Sequence, residues 1–357
     1  MSDAEQAVGL HELALRARAE GRPRDALDCC LWALASLERC CPQPAPDVAN
    51  VLNTLGAIYA DLSDYRAAED VHRRAAAILG EVAGDDDVLV LLRVQTTAHV
   101  GRLHRIQGRL DDAERTYLDA LRDAEAAFGR RGANLPALLN DLAIVYKYAA
   151  RFDEAETLYR RALSIIEYTL GPEHEEAATI WHNLGGIEHA RGNHAKGEPY
   201  ARRSVEIRSA AVGPEHPAVA ADLAALAALV QEQDRLDEAE ALYRRAEAVF
   251  EATLGPDHYE LAVNCNNLGA LHAARGEAAE AEALYKRALR IKESILGPDH
   301  ADVALTHHNL GVLYADAART ADAAASLSRA LEIFNTRVGP EHPKTVRCRE
   351  RLKHLRS

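Results

Sequence analysis

Aromatic side chains are scarce in this chain, 5% of its 357 residues, and it has a single methionine. That poverty argues against a large sheet-based core, while the abundance of alanine, leucine, glutamate and arginine suits helices packed through small residues. No stretch of roughly 18 apolar residues occurs, the length a membrane-spanning helix needs. The opening Met1-Ser2-Asp3-Ala4-Glu5 is acidic and has no apolar leader segment, so a cytoplasmic protein is expected. Positive charge is in deficit: 42 lysines and arginines face 55 acidic residues, a net charge of −13. Nucleic acids and anionic membrane surfaces are therefore disfavoured as partners.

The cysteines form no pattern. They fall as Cys29-Cys30, Cys40-Cys41, Cys265 and Cys348, which matches neither a disulfide framework nor zinc-ligand spacing. Free thiols are the expectation, with metal binding at the early cluster left open. No nucleophile elbow, phosphate loop or paired-carboxylate constellation is present, and Gly185-Gly186 lies within a helical pattern rather than after a strand. His182 and His189 are seven apart, about 10 Å along a helix, too far to share one ion. The chain reads as a non-enzyme that needs no cofactor.

What it does contain is a loop copied five times. Gly171-Pro172-Glu173-His174 returns as Gly213-Pro214-Glu215-His216, Gly255-Pro256-Asp257-His258, Gly297-Pro298-Asp299-His300 and Gly339-Pro340-Glu341-His342, a step of 42 residues. A period between 20 and 50 residues marks a solenoid whose units bury their apolar faces by stacking. Each unit reads as two helices. In one, Ala262, Cys265, Leu268, Gly269 and His272 form a first-helix stripe; Ala281, Leu284, Tyr285, Ala288 and Ile291 form the second, which ends at Gly297-Pro298. The loop histidines are expected to tie each helix start to the turn before it.

A Leu-Gly or Leu-Ala pair marks the first helices at Leu55-Gly56, Val100-Gly101, Leu142-Ala143, Leu184-Gly185, Leu226-Ala227, Leu268-Gly269 and Leu310-Gly311. Alanines keep step in the second helices at Ala68, Ala113, Ala155, Ala239, Ala281 and Ala323, and seven residues beyond each. Leu13-Ala14, Ala26 and Ala33 carry the register back to an atypical first unit. In these features the chain resembles the tetratricopeptide repeat in its 42-residue, kinesin-light-chain-like form, over nearly its whole length. The resemblance implies an all-α, right-handed superhelical solenoid of about eight helical hairpins plus a C-terminal capping helix. The expected units lie near 3–40, 47–82, 87–128, 134–170, 175–212, 217–254, 259–296 and 301–338, with the cap at 343–355, all in one array over 1–357. Between Ala68 and Ala113 the register slips by three, placing extra residues in the loop from Gly80 to Asp87. Pro42-Gln43-Pro44-Ala45-Pro46 reads as a long loop between the first two units.

In this family the first helices line a concave groove that binds peptides. Counting from the Leu of each pair, the groove positions are two and one before it and two, five and six after it. They pick out Arg102, Arg105, Asn140, Lys147, Tyr148, His182, Asn183, His189, Asn266, Asn267, His308 and Asn309. Asn183, Asn267 and Asn309 share one position, and an amide there can grip a ligand backbone N–H and C=O together; the alternative is a residue copied by duplication and engaged with a neighbouring helix. Arg102, Arg105 and Lys147, with His99, His182 and His189, make a basic stretch in an acidic chain, so the expected partner is a peptide or protein segment carrying acidic residues. Two other classes stay open: a metal-dependent or other enzyme centred on the His-rich fifth unit, and a self-associating oligomerisation module. The fifth unit also departs from its siblings at Glu188, Gly197, Ala201 and Ser204, with Pro199 in the first turn of its second helix. Lost volume at these crossings implies weaker packing, while Trp181 reads as core.

Overall fold

The computed structural model describes residues 3–40, 45–62, 64–84 and 86–356. Cys41, Pro42, Gln43 and Pro44 of the Pro-rich stretch, and Asp85 of the extra loop, lie outside the described residues. Every regular element described is an α-helix, in the order α1 (Asp3–Ala19), α2 (Pro23–Cys40), α3 (Pro46–Asp61), α4 (Tyr65–Glu81), α5 (Asp87–Ile106), α6 (Leu110–Phe128), α7 (Leu135–Tyr148), α8 (Phe152–Thr169) and α9 (Glu175–Ala190). Then come α10 (His194–Val212), α11 (Pro217–Gln231), α12 (Leu236–Leu254), α13 (Tyr259–Ala274), α14 (Ala278–Leu296), α15 (Ala301–Asp316), α16 (Thr320–Arg337) and α17 (Pro343–Arg356). Odd-numbered helices are the first, and even-numbered the second, members of hairpins; α17 is the closing helix. The chain divides into two compact units, residues 1–183 and 184–357, with the division inside α9.

The repeated sequence signals have direct structural causes. Within the first unit Ala26, Ala68, Ala113 and Ala155 are fully buried, as are Ala239, Ala281 and Ala323 in the second. Small residues here let the two helices of a hairpin approach closely. The glycines of the Leu-Gly pairs meet a large side chain from the second helix: a Cβ at Gly101 would stand 2.9 Å from the Tyr117 ring, and one at Gly269 3.0 Å from Tyr285. Glycine is thus required where a ring lies flat on the first helix. Loop glycines end the second helices in the left-handed region, with φ of 92° at Gly213 and 90° at Gly255 and Gly297. The loop histidines then cap the next helix: Nδ1 of His216, His258 and His300 accepts the backbone N–H of Ala218, Glu260 and Asp302 at 3.2, 3.1 and 3.0 Å. This is the tie between turn and helix start that the loop sequence implies.

In the fifth hairpin α9 and α10 approach until a Cβ on Gly185 would lie 3.3 Å from the Gly197 carbonyl oxygen, and one on Gly197 2.8 Å from Leu229 Cδ2. Lost side-chain volume is recovered by backbone approach. Glu188, only 1% exposed where siblings have Tyr146 or Tyr314, accepts hydrogen bonds from Arg191 (2.6 Å), Lys196 (2.9 Å) and Asn193 (3.0 Å). Burial pushes its carboxyl upward, but these donors outweigh that and leave it below the usual glutamate range. Ser204 Oγ and His194 Nδ1 are buried without a hydrogen-bond partner among the described residues. Cys30, Cys265 and Cys348 are buried thiols, and burial raises Cys30 to about 12.

Candidate functional site: the first-helix faces

In the first unit, side chains from α1, α3, α5 and α7 form a continuous polar row. Arg18 Nε donates to Asp61 at 2.6 Å, and Arg102 approaches the other oxygen of the same carboxylate at 4.0 Å. Arg105 lies 5.5 Å over the ring of Tyr148, which is 67% exposed. Asp141 sits among them: burial raises its carboxyl pKa, Arg102 and Arg105 pull it down, and Asn140 and Tyr117 donate to it. Lys147, half-buried, has no acidic partner among the described residues, and burial alone depresses its ammonium. A partly desolvated cation without a counter-ion is a favourable place for a ligand anion.

His99 does not add to this charge at neutral pH. Its ring stacks on His72 with centroids 5.3 Å apart, and burial together with Arg102 and Arg18 pushes it down to about 4. The row therefore owes its positive charge to arginine and lysine, and Asp61 and Asp141 offset part of it. Arg18 and Asp61 are not among the candidate residues above, which span the third to eighth hairpins. Extending the count to Leu13 and Leu55 finds both.

The asparagines occupy seams between consecutive first helices. Asn183 donates to Asn140 Oδ1 at 2.6 Å and Asn309 to Asn266 Oδ1 at 3.0 Å, each across 43 residues. His11 and Thr54 meet in the same register at 2.8 Å. Positions one and two before the Leu thus face each other across the seam, since a 42-residue repeat brings residue i beside i + 43 of the next helix. Each donor amide keeps its own carbonyl oxygen and a second N–H. Asn267 has no hydrogen-bond partner among the described residues.

Arg102, Arg105, Asn140, Lys147, Tyr148, His182 and Asn183 belong to the first unit. His189, Asn266, Asn267, His308 and Asn309 belong to the second. There His189 meets His194 edge-on at 5.1 Å, and His308 is lowered by burial and by Arg347 and Arg351 of α17. Among the described residues no group of three or more His, Cys, Asp or Glu is placed to hold a metal ion, and no helix is long and apolar enough to cross a membrane.

The sequence profile of the tetratricopeptide repeat matches residues 48–88, 92–167, 176–252, 220–294 and 259–336. The chain belongs to the tetratricopeptide-repeat family. Its loops recur every 42 residues. Among solved structures, it resembles a Rap protein complexed with competence and sporulation factor, at 15% identity over 99% of this chain and 98% of that one, TM-score 0.59. It resembles BtubC (BKLC) from P. vanneervenii at 21% identity, 71% and 93% coverage and TM-score 0.51. A tetratricopeptide repeat protein from Parabacteroides merdae matches at 17% identity, 87% and 99% coverage and TM-score 0.53. These likenesses show the shared helical-hairpin fold. No curated protein sequence matches the chain.

Proposed function

We propose that this tetratricopeptide-repeat protein is a non-enzymatic scaffold whose first-helix face, in residues 1–183, binds an acidic peptide segment of a partner. The observation that carries the reading is Lys147, a partly desolvated ammonium without a carboxylate, beside the Arg105–Tyr148 stack. A ligand carboxylate at Lys147 removes an uncompensated charge, and one near Arg105 gains a planar donor fork already held in place by the ring. Tyr148 offers an exposed apolar face for the residue beside that carboxylate. The Asn140–Asn183 pair holds amide groups in reserve for the peptide backbone. The Rap protein of like fold, solved as a complex with competence and sporulation factor, supports a ligand-binding role for such an array.

Selection of peptides from a random display library on the immobilised protein tests this reading. Enriched sequences should carry aspartate or glutamate, and Lys147→Glu and Arg105→Glu proteins should fail to retain them. Enrichment of basic or uncharged sequences, or retention by both variants, contradicts it.

A further inference from the structure

Second helices of neighbouring hairpins are joined by a recurring ionic device. Arg287 of α14 donates to Glu251 and, at 2.9 Å, to Glu247, both of α12. Arg161 of α8 donates to Glu125 of α6 at 2.5 Å, and Arg74 of α4 donates to Glu38 of α2. In each case the arginine lies six residues after the crossing alanine and the glutamate twelve after the corresponding alanine of the preceding second helix. Within the second unit only α12 and α14 are joined in this way; Arg329 of α16 turns instead to Asp299 (2.6 Å) and Glu332 (2.9 Å), and between α10 and α12 the acid itself is missing. Arg245 of α12 holds the arginine position, but α10 supplies Ser209 where the glutamate should stand, and Val205 where α12 has Glu247. Arg245 is exposed and has no acidic partner among the described residues.

Val205 also lines an opening of the surface. Between α10 and α12 lies a trough of about 490 Å³, floored by Val205, Leu223, Leu226 and Leu242. Arg202, Arg203 and Arg245 stand on its rim together with Pro199 and Glu206. Two of these arginines are engaged: Arg202 with Glu198 (2.6 Å) and Glu238 (2.7 Å), and Arg203 with Glu206 (2.8 Å). Between α12 and α14 the corresponding place is filled by Glu247, whose carboxylate is bound by Arg244 and Arg287, each at 2.9 Å. The α12–α14 seam therefore carries its own anion, whereas the α10–α12 trough has an apolar floor and, among the described residues, an unmatched cation at Arg245.

We propose that the α10–α12 trough is a docking site for the C-terminus of a partner polypeptide ending in an apolar residue of leucine size. One terminal residue carries both required groups on a single Cα: a side chain for the leucine floor and an α-carboxylate for Arg245, in the role Glu251 and Glu247 play towards Arg287. An internal glutamate would supply the charge and leave the floor wet. The free carboxylate matches Arg245, and charge-assisted bonds to arginine are the stronger kind. The trough lies on second helices and is separate from the first-helix row assigned to acidic segments above.

Fluorescence anisotropy with a dye-labelled glycine-serine peptide ending in leucine decides the matter. The free acid should bind saturably, and its C-terminal amide at least about tenfold more weakly, the loss of one charge-assisted contact. Ser209→Glu gives Arg245 the internal partner its siblings have and should weaken the free acid by about the same factor while leaving the melting temperature equal or higher. Arg245→Ala, at an exposed position, should do likewise. The proposal is overturned if acid and amide bind equally, if neither binds, if Ser209→Glu and Arg245→Ala leave affinity unchanged, or if an amidated peptide with an internal Leu-Glu pair binds better than the free acid.

Discussion

Residue by residue, the repeat tolerates departures that cost stability. Among the described residues, the turn inside a hairpin places one residue in the left-handed region: Gly21 (φ 71°), Gly108 (φ 77°), Gly192 (φ 76°) and Gly276 (φ 77°), but Ala150 (φ 58°), Asp234 (φ 61°) and Ala318 (φ 57°) in the others. A Cβ in that region costs about 1 kcal/mol, so Ala150→Gly and Ala318→Gly should each stabilise the protein by up to about 1 kcal/mol in urea titration. Loss of stability from either would show that the alanine methyl makes contacts that outweigh its strain. Histidines give a second residue-scale consequence. Burial pushes His72 down to about 3 and His99 to about 4. Both folded values lie below the ordinary one, so on acidification the unfolded chain takes up these protons first. The stability the neutral rings contribute is complete above pH 6.5 and is lost as pH falls from there towards 4 and then 3, by at most about 1.4 kcal/mol per pH unit for each histidine. The melting temperature should fall between pH 6.5 and 5, and His72→Tyr, which places the aromatic of Tyr117 at this crossing, should flatten the slope. An unchanged slope would contradict the burial argument.

At the scale of helices and hairpins, spacing reveals most of the structure and leaves one part unread. Helix ends, loop glycines and capping histidines follow from local chemistry, which a single copy of the loop already displays. The fifth hairpin does not, because Gly197 and Ala201 look like deletions in sequence, whereas helix approach turns Gly197 into a backbone contact with Gly185. Packing distance is a property of the pair of helices and is absent from either one's sequence. Glu188 likewise gains meaning only through Arg191, Lys196 and Asn193. Glu188→Ala leaves Arg191 and Lys196 without their buried acceptor and should cost about 3 kcal/mol, seen as a lowered melting temperature. Glu188→Gln should cost less, since it keeps the shape and some of the hydrogen bonds. Equal, small effects would mean that the ionic cluster contributes nothing to the hairpin.

Across the whole molecule, periodicity made the fold legible, and periodicity also hid the site. Duplication copies a residue whether or not it is used, so Asn183, Asn267 and Asn309 were indistinguishable in sequence, yet only the first and last are bonded to an asparagine of the preceding first helix. The informative positions are where the repeat breaks its own rule: Lys147 without an acid among the described residues, Arg245 with Ser209 at the glutamate register, and the half-buried Asp141 near Arg102 and Arg105. Each is readable in sequence once the 43-residue register between first helices, or the six-and-twelve register between second helices, is known; only the structure supplies those registers. The central claim is that the row from Arg18 to Tyr148 binds an acidic segment through charge. It is tested most directly by the salt dependence of affinity for the display-selected peptide, measured by calorimetry on the native protein and on Lys147→Glu. The account expects native affinity to fall by about tenfold or more from dilute to physiological salt, as screening over about 8–30 Å weakens the attraction, and the variant to bind at least about tenfold more weakly with a shallower salt slope. Affinity indifferent to salt and to Lys147→Glu would contradict it.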